Sequence, residues 1–200
     1  MPFITIEGPI GAGKTSLSRL LAEELGARLM LEVVEENPFL ALFYDDPERY
    51  AFSVQTFFLL SRYKQVQDMM QGSLFFSDTV ADYLFDKDFI FASLNLRGDE
   101  WELYRDLYTQ LRPRLPAPDL TVYLRAAPDL LLERVAQRGR PFEQNMEASY
   151  LRRLGDAYDH YFEHYEAPLH VIEAADYDFV GRSTDREALI GNILQLARAA

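Results

Sequence analysis

Gly8-Pro9-Ile10-Gly11-Ala12-Gly13-Lys14-Thr15 constrains the chain more than any other stretch. A glycine, four residues and then Gly-Lys-Thr is the phosphate-binding P-loop pattern. It follows the β-rich run Phe3-Ile4-Thr5-Ile6-Glu7 and precedes an amphipathic segment, Ser16 to Leu25. That strand–loop–helix context is what the pattern requires. Glycines leave the backbone N–H groups free to point inward, and with the positive end of the following helix they surround phosphate oxygens. Gly8, Pro9, Ile10, Gly11, Ala12, Gly13, Lys14, Thr15 and Ser16 are therefore expected to bind ATP. Lys14 would reach the β- and γ-phosphates, and the Thr15 hydroxyl is placed to ligate Mg²⁺.

The chain has 200 residues, which suits one domain (1–200) with a sizeable core. Its 48% hydrophobic and 26% charged content is that of an ordinary globular protein. The net charge of −12 argues against a nucleic-acid partner, which calls for a basic face. The arginines must then be concentrated at the anionic nucleotide against the overall charge. With no cysteine there is no disulfide or thiol chemistry, which fits a reducing compartment. The first strand begins at residue 3, so no signal peptide is expected. No apolar run approaches membrane-spanning length, and the cytoplasm is the expected location.

Further strands are predicted at Ala27 to Val34, Leu74 to Tyr83, Leu120 to Leu124 and Leu169 to Ile172. Asn37-Pro38 breaks the second strand. A short helix is predicted over Phe39 to Tyr44. A long one runs from Pro47 to about Gln71 and ends at Gly72. Phe85 to Leu111 reads as helical with an interruption near Gly98. Pro128 opens a helix to Arg138, another covers Glu147 to about Glu166, and a last one starts at Thr184. Five short apolar strands alternating with helices predict an α/β fold, a parallel sheet covered on both faces. Ligands bind such sheets beyond the carboxyl ends of the strands. Glu32, Asp78, Asp82 and Arg125 are the polar residues to examine there.

Phosphoryl transfer to an alcohol needs positioning, charge neutralisation and a carboxylate to take the proton. Glu32 sits among apolar neighbours, where an idle carboxylate would be costly. Arg134 and Arg138 share a helical face and Arg140 follows the Gly139 break. They read either as a group closing over a triphosphate or as a solvated cationic helix end. Gln55 and Arg62 share the inner face of the long helix; a purine edge or salt bridges to neighbouring acids would satisfy them. Trp101 and the twelve tyrosines are expected in the core, and the three histidines show no metal-ligand spacing.

Taken together these residues resemble the deoxynucleoside kinase family, in particular its bacterial deoxyguanosine kinase branch. The similarity covers Ile6 to Thr15, Glu32-Val33-Val34-Glu35-Glu36-Asn37-Pro38-Phe39-Leu40, Phe43-Tyr44, Phe57-Phe58-Leu59 and Arg62-Tyr63-Lys64-Gln65. It continues through Ala81-Asp82-Tyr83, Lys87, Phe91-Ala92, Arg138-Gly139-Arg140-Pro141-Phe142-Glu143 and Ser149-Tyr150-Leu151. The Asn-Pro-Phe and Arg-Gly-Arg-Pro-Phe-Glu stretches are far more specific than the P-loop alone. The resemblance implies a P-loop NTPase-like sandwich with a five-stranded parallel sheet and an Arg-rich lid at about 134–145. It also implies an ATP- and Mg²⁺-dependent 5′-kinase of deoxynucleosides, a homodimer acting in purine salvage.

By the same resemblance Glu32 is the base for the nucleoside 5′-hydroxyl, and Tyr44 and Glu143 hold the deoxyribose 3′-hydroxyl. Gln55, with Arg62 and Phe58, receives the base; Arg134, Arg138 and Arg140 form the lid; Asp178 and Phe179 line the donor adenine. One departure stands out. Many relatives carry Asp/Glu-Arg-Ser where this chain has Ala81-Asp82-Tyr83, so an arginine that assists the transferring phosphate is missing. Asp82 is expected to take part of that role through the metal, with Asp78 as the competing register. Lys87 can only donate, which suits the six-oxo acceptor of guanine and favours deoxyguanosine over deoxyadenosine. The rival readings are a deoxyadenosine or broad-specificity kinase, a nucleoside monophosphate kinase of the thymidylate-kinase type, and a non-catalytic P-loop switch.

Overall fold

A computed structural model of the chain describes residues 2–71, 78–143 and 146–199. In order the elements are β1 (Phe3–Glu7), α1 (Lys14–Leu25), β2 (Arg28–Met30), α2 (Leu40–Asp45) and α3 (Pro47–Gln71). They continue with β3 (Thr79–Ala81), α4 (Lys87–Asn95), α5 (Gly98–Leu111), β4 (Leu120–Arg125), α6 (Pro128–Arg138), α7 (Ala148–Glu163), β5 (Leu169–Glu173) and α8 (Ser183–Ala199). Three single 3-10 turns join them, at Val34–Glu36, Arg112–Arg114 and Pro141–Glu143.

All five strands run parallel in the order β2-β3-β1-β4-β5. Alternation along the central strands assigns the two faces. Ile4, Ile6, Val122 and Leu124 pack with Leu17, Leu21, Leu189 and Ile193 of α1 and α8 on one side. On the other side α2 to α5 form a second apolar layer built on Phe43, Val54, Leu59, Ala92 and Tyr104. Tyr123 faces a third cluster with Leu154, Tyr158 and Phe162 of α7. Thr5 and Thr121, buried side by side on neighbouring strands, satisfy one another's hydroxyls at 3.1 Å.

Several boundaries differ from the sequence expectation. The second strand ends at Met30 rather than Val34, because its only ladder partner, β3, leaves the sheet after Ala81. Asp82 then turns its carboxylate onto the Glu32 N–H and ends the pairing. The third strand is likewise shorter; Leu74 to Ser77 and the Gly72 helix end lie outside the described residues. α7 stops at Glu163, three residues early, with His164 at its C-cap. The chain crosses from β3 over β1 to β4, so the sheet reverses its direction of growth beside the P-loop, the place where such folds bind ligands.

Candidate active site

β1 delivers the loop to the carboxyl edge of the sheet, and the helix begins at Lys14. Gly8 has no room for a side chain: a Cβ there would lie 2.5 Å from the Leu124 carbonyl oxygen. A Cβ on Gly13 would lie 3.0 Å from the Phe179 ring, so glycine lets the segment before α8 close on the loop. Ile10, Gly11, Gly13, Lys14, Thr15 and Ser16 border a cavity of about 980 Å³. Gly8, Pro9 and Ala12 lie beneath it: Ala12 is fully buried, and its N–H donates to the Pro9 carbonyl at 3.2 Å.

The Lys14 ammonium folds back onto the Gly8 and Pro9 carbonyls at 2.7 and 3.0 Å. Burial and the nearby Lys87 charge lower its pKa to about 8, against the opposing pull of Glu7, Glu32 and Asp82. A triphosphate arriving beside it restores the charged form. Binding ATP at pH 8.5 should therefore take up a fraction of a proton per site, read by calorimetry in buffers of differing ionisation enthalpy. Identical enthalpies in all buffers would refute the lowered value. The Thr15 hydroxyl donates to Asp82 Oδ2 at 2.6 Å. Asp78 stands at the opposite end of β3, its carbonyl accepting from Arg28 N, and takes no part.

Across the cavity from the P-loop lies a charged cluster. Glu32 Oε2 accepts from Lys87 Nζ at 2.5 Å, and Glu32 Oε1 pairs with the Arg62 guanidinium, which also holds Asp88. Burial alone would raise the Glu32 carboxyl; Lys87 and Arg62 outweigh it and hold it well below the usual carboxylate range. Arg62 lies over the Phe58 ring at 4.9 Å and the Tyr83 ring at 5.6 Å. Of the two readings open for it, salt bridges are what the structure contains. Gln55 and Phe58 face the same cavity, as does Tyr44, whose phenol is pushed up by burial and by nearby Tyr150 and Glu143. Lys87 borders the cavity too, with its ammonium on Glu32.

The third wall carries the arginines, all three of which border the cavity; Arg138, in the last turn of α6, is also exposed to solvent. Arg134 bridges the Ala12 and Ala174 carbonyls at 3.1 Å each. Arg138 grips Glu143, which is only 4% exposed, at 2.6 Å, and Arg140 pairs with Glu35 at 2.6 Å. Asp178 and Phe179 complete the rim beside Gly13. Residues 144–145 of the expected lid lie outside the described residues. Arg125 is exposed, paired with Asp159 and Glu173, and does not reach the cavity.

Three supports have no role in the sequence reading. Glu7, fully buried, accepts from Gly8 N at 2.8 Å, Leu84 N at 2.7 Å and the Tyr158 hydroxyl at 2.9 Å. Asp88 anchors Arg62 from below. Gln65 donates to the Leu31 carbonyl at 3.2 Å and accepts from Tyr83, fixing the segment that presents Glu32. The histidine expectation is also corrected. His160 and His164 are four apart on and beyond the last turn of α7, and with Glu163 their ligand atoms lie within 4.8 Å of one another at the surface.

The sequence profile of the family described as deoxynucleoside kinase matches residues 4–198. The deoxyguanosine kinase of Bacillus subtilis is 37% identical over 201 residues, 98% of this chain and 97% of that protein. The deoxyadenosine kinase of Lactobacillus acidophilus is 33% identical over 95% of this chain and 94% of its own. Among solved structures, deoxyadenosine kinase from M. mycoides with bound dCTP superposes with a TM-score of 0.81 at 25% identity, covering 96% of this chain and 99% of that one.

Proposed function

The chain belongs to the deoxynucleoside kinase family, and we propose that it transfers the γ-phosphoryl group of ATP to the 5′-hydroxyl of a purine deoxynucleoside, deoxyguanosine first. Its five-stranded parallel sheet flanked by helices is a P-loop NTPase-like fold. One observation carries the proposal. A carboxylate, Glu32, and a phosphate loop face each other across one cavity, close enough for Glu32 to act on the Lys14 charge. A neutral hydroxyl acceptor needs that carboxylate, whereas a monophosphate acceptor needs spare cations. Arg62 is already committed to two carboxylates, Glu32 and Asp88.

In the proposed reaction the phosphates lie on the loop N–H groups and the start of α1. Lys14 exchanges the Gly8 and Pro9 carbonyls for phosphate oxygens. The 5′-oxygen forms a bond to the γ-phosphorus, the bond to the ADP oxygen breaks, and the hydroxyl proton passes to Glu32. Tyr44 and Glu143 take the 3′-hydroxyl, and Gln55, with Phe58, takes the base. Arg138 and Arg140 leave Glu143 and Glu35 to meet the triphosphate. Thr15 and Asp82 fit Mg²⁺: a hydroxyl and a carboxylate are hard oxygen donors, and they already lie 2.6 Å apart. When bound, that ion neutralises charge on the β- and γ-phosphates.

The preference for guanine is supported by the Bacillus subtilis relative and not by Lys87, which is engaged elsewhere. A second reading, deoxyadenosine, has the Lactobacillus acidophilus relative in its favour. We also propose a homodimer, as the resemblance implies, and keep the cytoplasm as the location expected from the sequence. No helix among the described residues is long and apolar enough to cross a membrane.

Initial rates of ATP-dependent phosphorylation, measured on all four deoxynucleosides with deoxyguanosine and thymidine monophosphates as controls, test the reading. Deoxyguanosine should give the highest kcat/KM, by about tenfold or more over deoxyadenosine. Turnover of a monophosphate alone would overturn the acceptor class. Light scattering on the same sample should give twice 23.1 kDa, and 23.1 kDa would remove the dimer.

A further inference from the structure

We propose that Lys87 is a mobile cation of the reacting centre: its ammonium holds Glu32 while the site is empty of substrates, and moves to the phosphoryl group once ATP is bound, freeing Glu32 as base. This rests on the kinase reading above and adds a residue and a sequence of events to it.

The two cations on Glu32 are held very differently. Arg62 is fixed. Its guanidinium joins two carboxylates, Glu32 and Asp88, and lies over the Phe58 and Tyr83 rings. Asp88 Oδ2 already has no partner, so moving Arg62 would strand a buried acid. Lys87 makes a single ion pair, at the end of a flexible four-carbon stem, and its ammonium lies over the Phe91 ring at 5.5 Å. It also opens α4, where the positive end of the helix disfavours a cation. Among the described residues Glu32 is the one carboxylate holding its ammonium, against the two that hold Arg62. Lys87 borders the cavity, and its charge is felt by Lys14, so it stands within reach of whatever the P-loop binds.

The chemistry gives the movement a purpose. With both cations in place each Glu32 oxygen is engaged, Oε1 by Arg62 and Oε2 by Lys87, and neither is open to a hydroxyl. A triphosphate offers the ammonium a stronger anion than one carboxylate. Its transfer frees Glu32 Oε2 for the hydroxyl and brings positive charge to the group being transferred, in one displacement. The other groups facing Glu32 are Lys14 from α1, Arg62 from α3, Asp82 and Tyr83 after β3, and the Glu7–Tyr158 pair behind them.

The test compares kcat, the KM for ATP and the KM for deoxyguanosine in the unsubstituted protein, Lys87→Gln and Lys87→Arg. Lys87→Gln should lower kcat by about 100-fold and change the two KM values little, because the lost charge acts on the group being transferred. Lys87→Arg, which keeps the charge, should recover part of kcat. Lys87→Met replaces Lys87→Gln if the latter is not recovered folded. Unchanged kcat with an altered deoxyguanosine-to-deoxyadenosine ratio would overturn the proposal and make Lys87 a reader of the base. A lower kcat accompanied by raised KM values for both substrates, with no recovery in Lys87→Arg, would also overturn it, leaving a purely structural lysine. Absence of nucleoside-dependent turnover in the unsubstituted protein would instead refute the kinase reading.

Discussion

Glu32→Gln should lower nucleoside phosphorylation by a factor of about 10² to 10⁴ while ATP still binds. The amide keeps the size and one acceptor of the carboxylate but cannot take a proton from the 5′-hydroxyl. It also removes the negative charge on which Arg62 and Lys87 converge. With that charge gone the cluster becomes more positive, so ATP affinity should hold or rise even as turnover collapses. A structural defect would weaken both together, which is why the pair of measurements is needed. The fold should survive, because Arg62 retains Asp88 and Glu32 lies at the cavity rather than in the apolar layers. Single-turnover rates at saturating substrates, set beside ATP titrations, decide it. A variant keeping more than a tenth of the parent rate would remove Glu32 as the base.

The fold was legible because its signals are local and periodic. The P-loop fixes one strand–helix junction, and Pro128 and Gly139 bracket α6 as helix-start and helix-stop residues do. Strand ends were the least legible. β2 is three residues long because β3 turns away at Asp82, a decision made by a partner far along the chain. Nothing within Leu31 to Val34 reports it, since β-branched and apolar residues there favour a longer strand.

The site was legible where charged residues fall in motifs, and much less where one buried charge answers another. The lid arginines and the facing carboxylate line the cavity as expected. Lys87 shows the limit. Its side-chain chemistry, donor only, was readable, and suggested contact with a base. Its actual partner, Glu32, is 55 residues away in sequence, and only the folded chain brings them together. Choosing Asp82 over Asp78 likewise required knowing which end of β3 faces the loop.

Glu7→Gln should destabilise the protein by about 3 kcal/mol, although it deletes no atom and leaves the cavity lining intact. The carboxylate is fully buried at the end of β1 and accepts from three donors: Gly8 N, Leu84 N and the Tyr158 hydroxyl. A glutamine has one acceptor oxygen and an NH₂ group. Turned to serve Gly8 and Tyr158, it points that NH₂ at the Leu84 N–H, 2.7 Å away; turned round, it opposes Gly8. Either way a backbone donor is left buried and unsatisfied. For a chain of this size the melting temperature should drop by about 6–12 °C. ATP affinity should fall with it, because the same carboxylate joins the first residue of the P-loop to the segment after β3, and so holds Thr15 against Asp82. Tyr158→Phe removes one donor and leaves the carboxylate two, so it should cost only about 1 kcal/mol. Melting curves of the two variants separate the cases. A Glu7→Gln protein melting within about 2 °C of the parent would mean that the charge at position 7 is dispensable and that another contact holds the loop to β3.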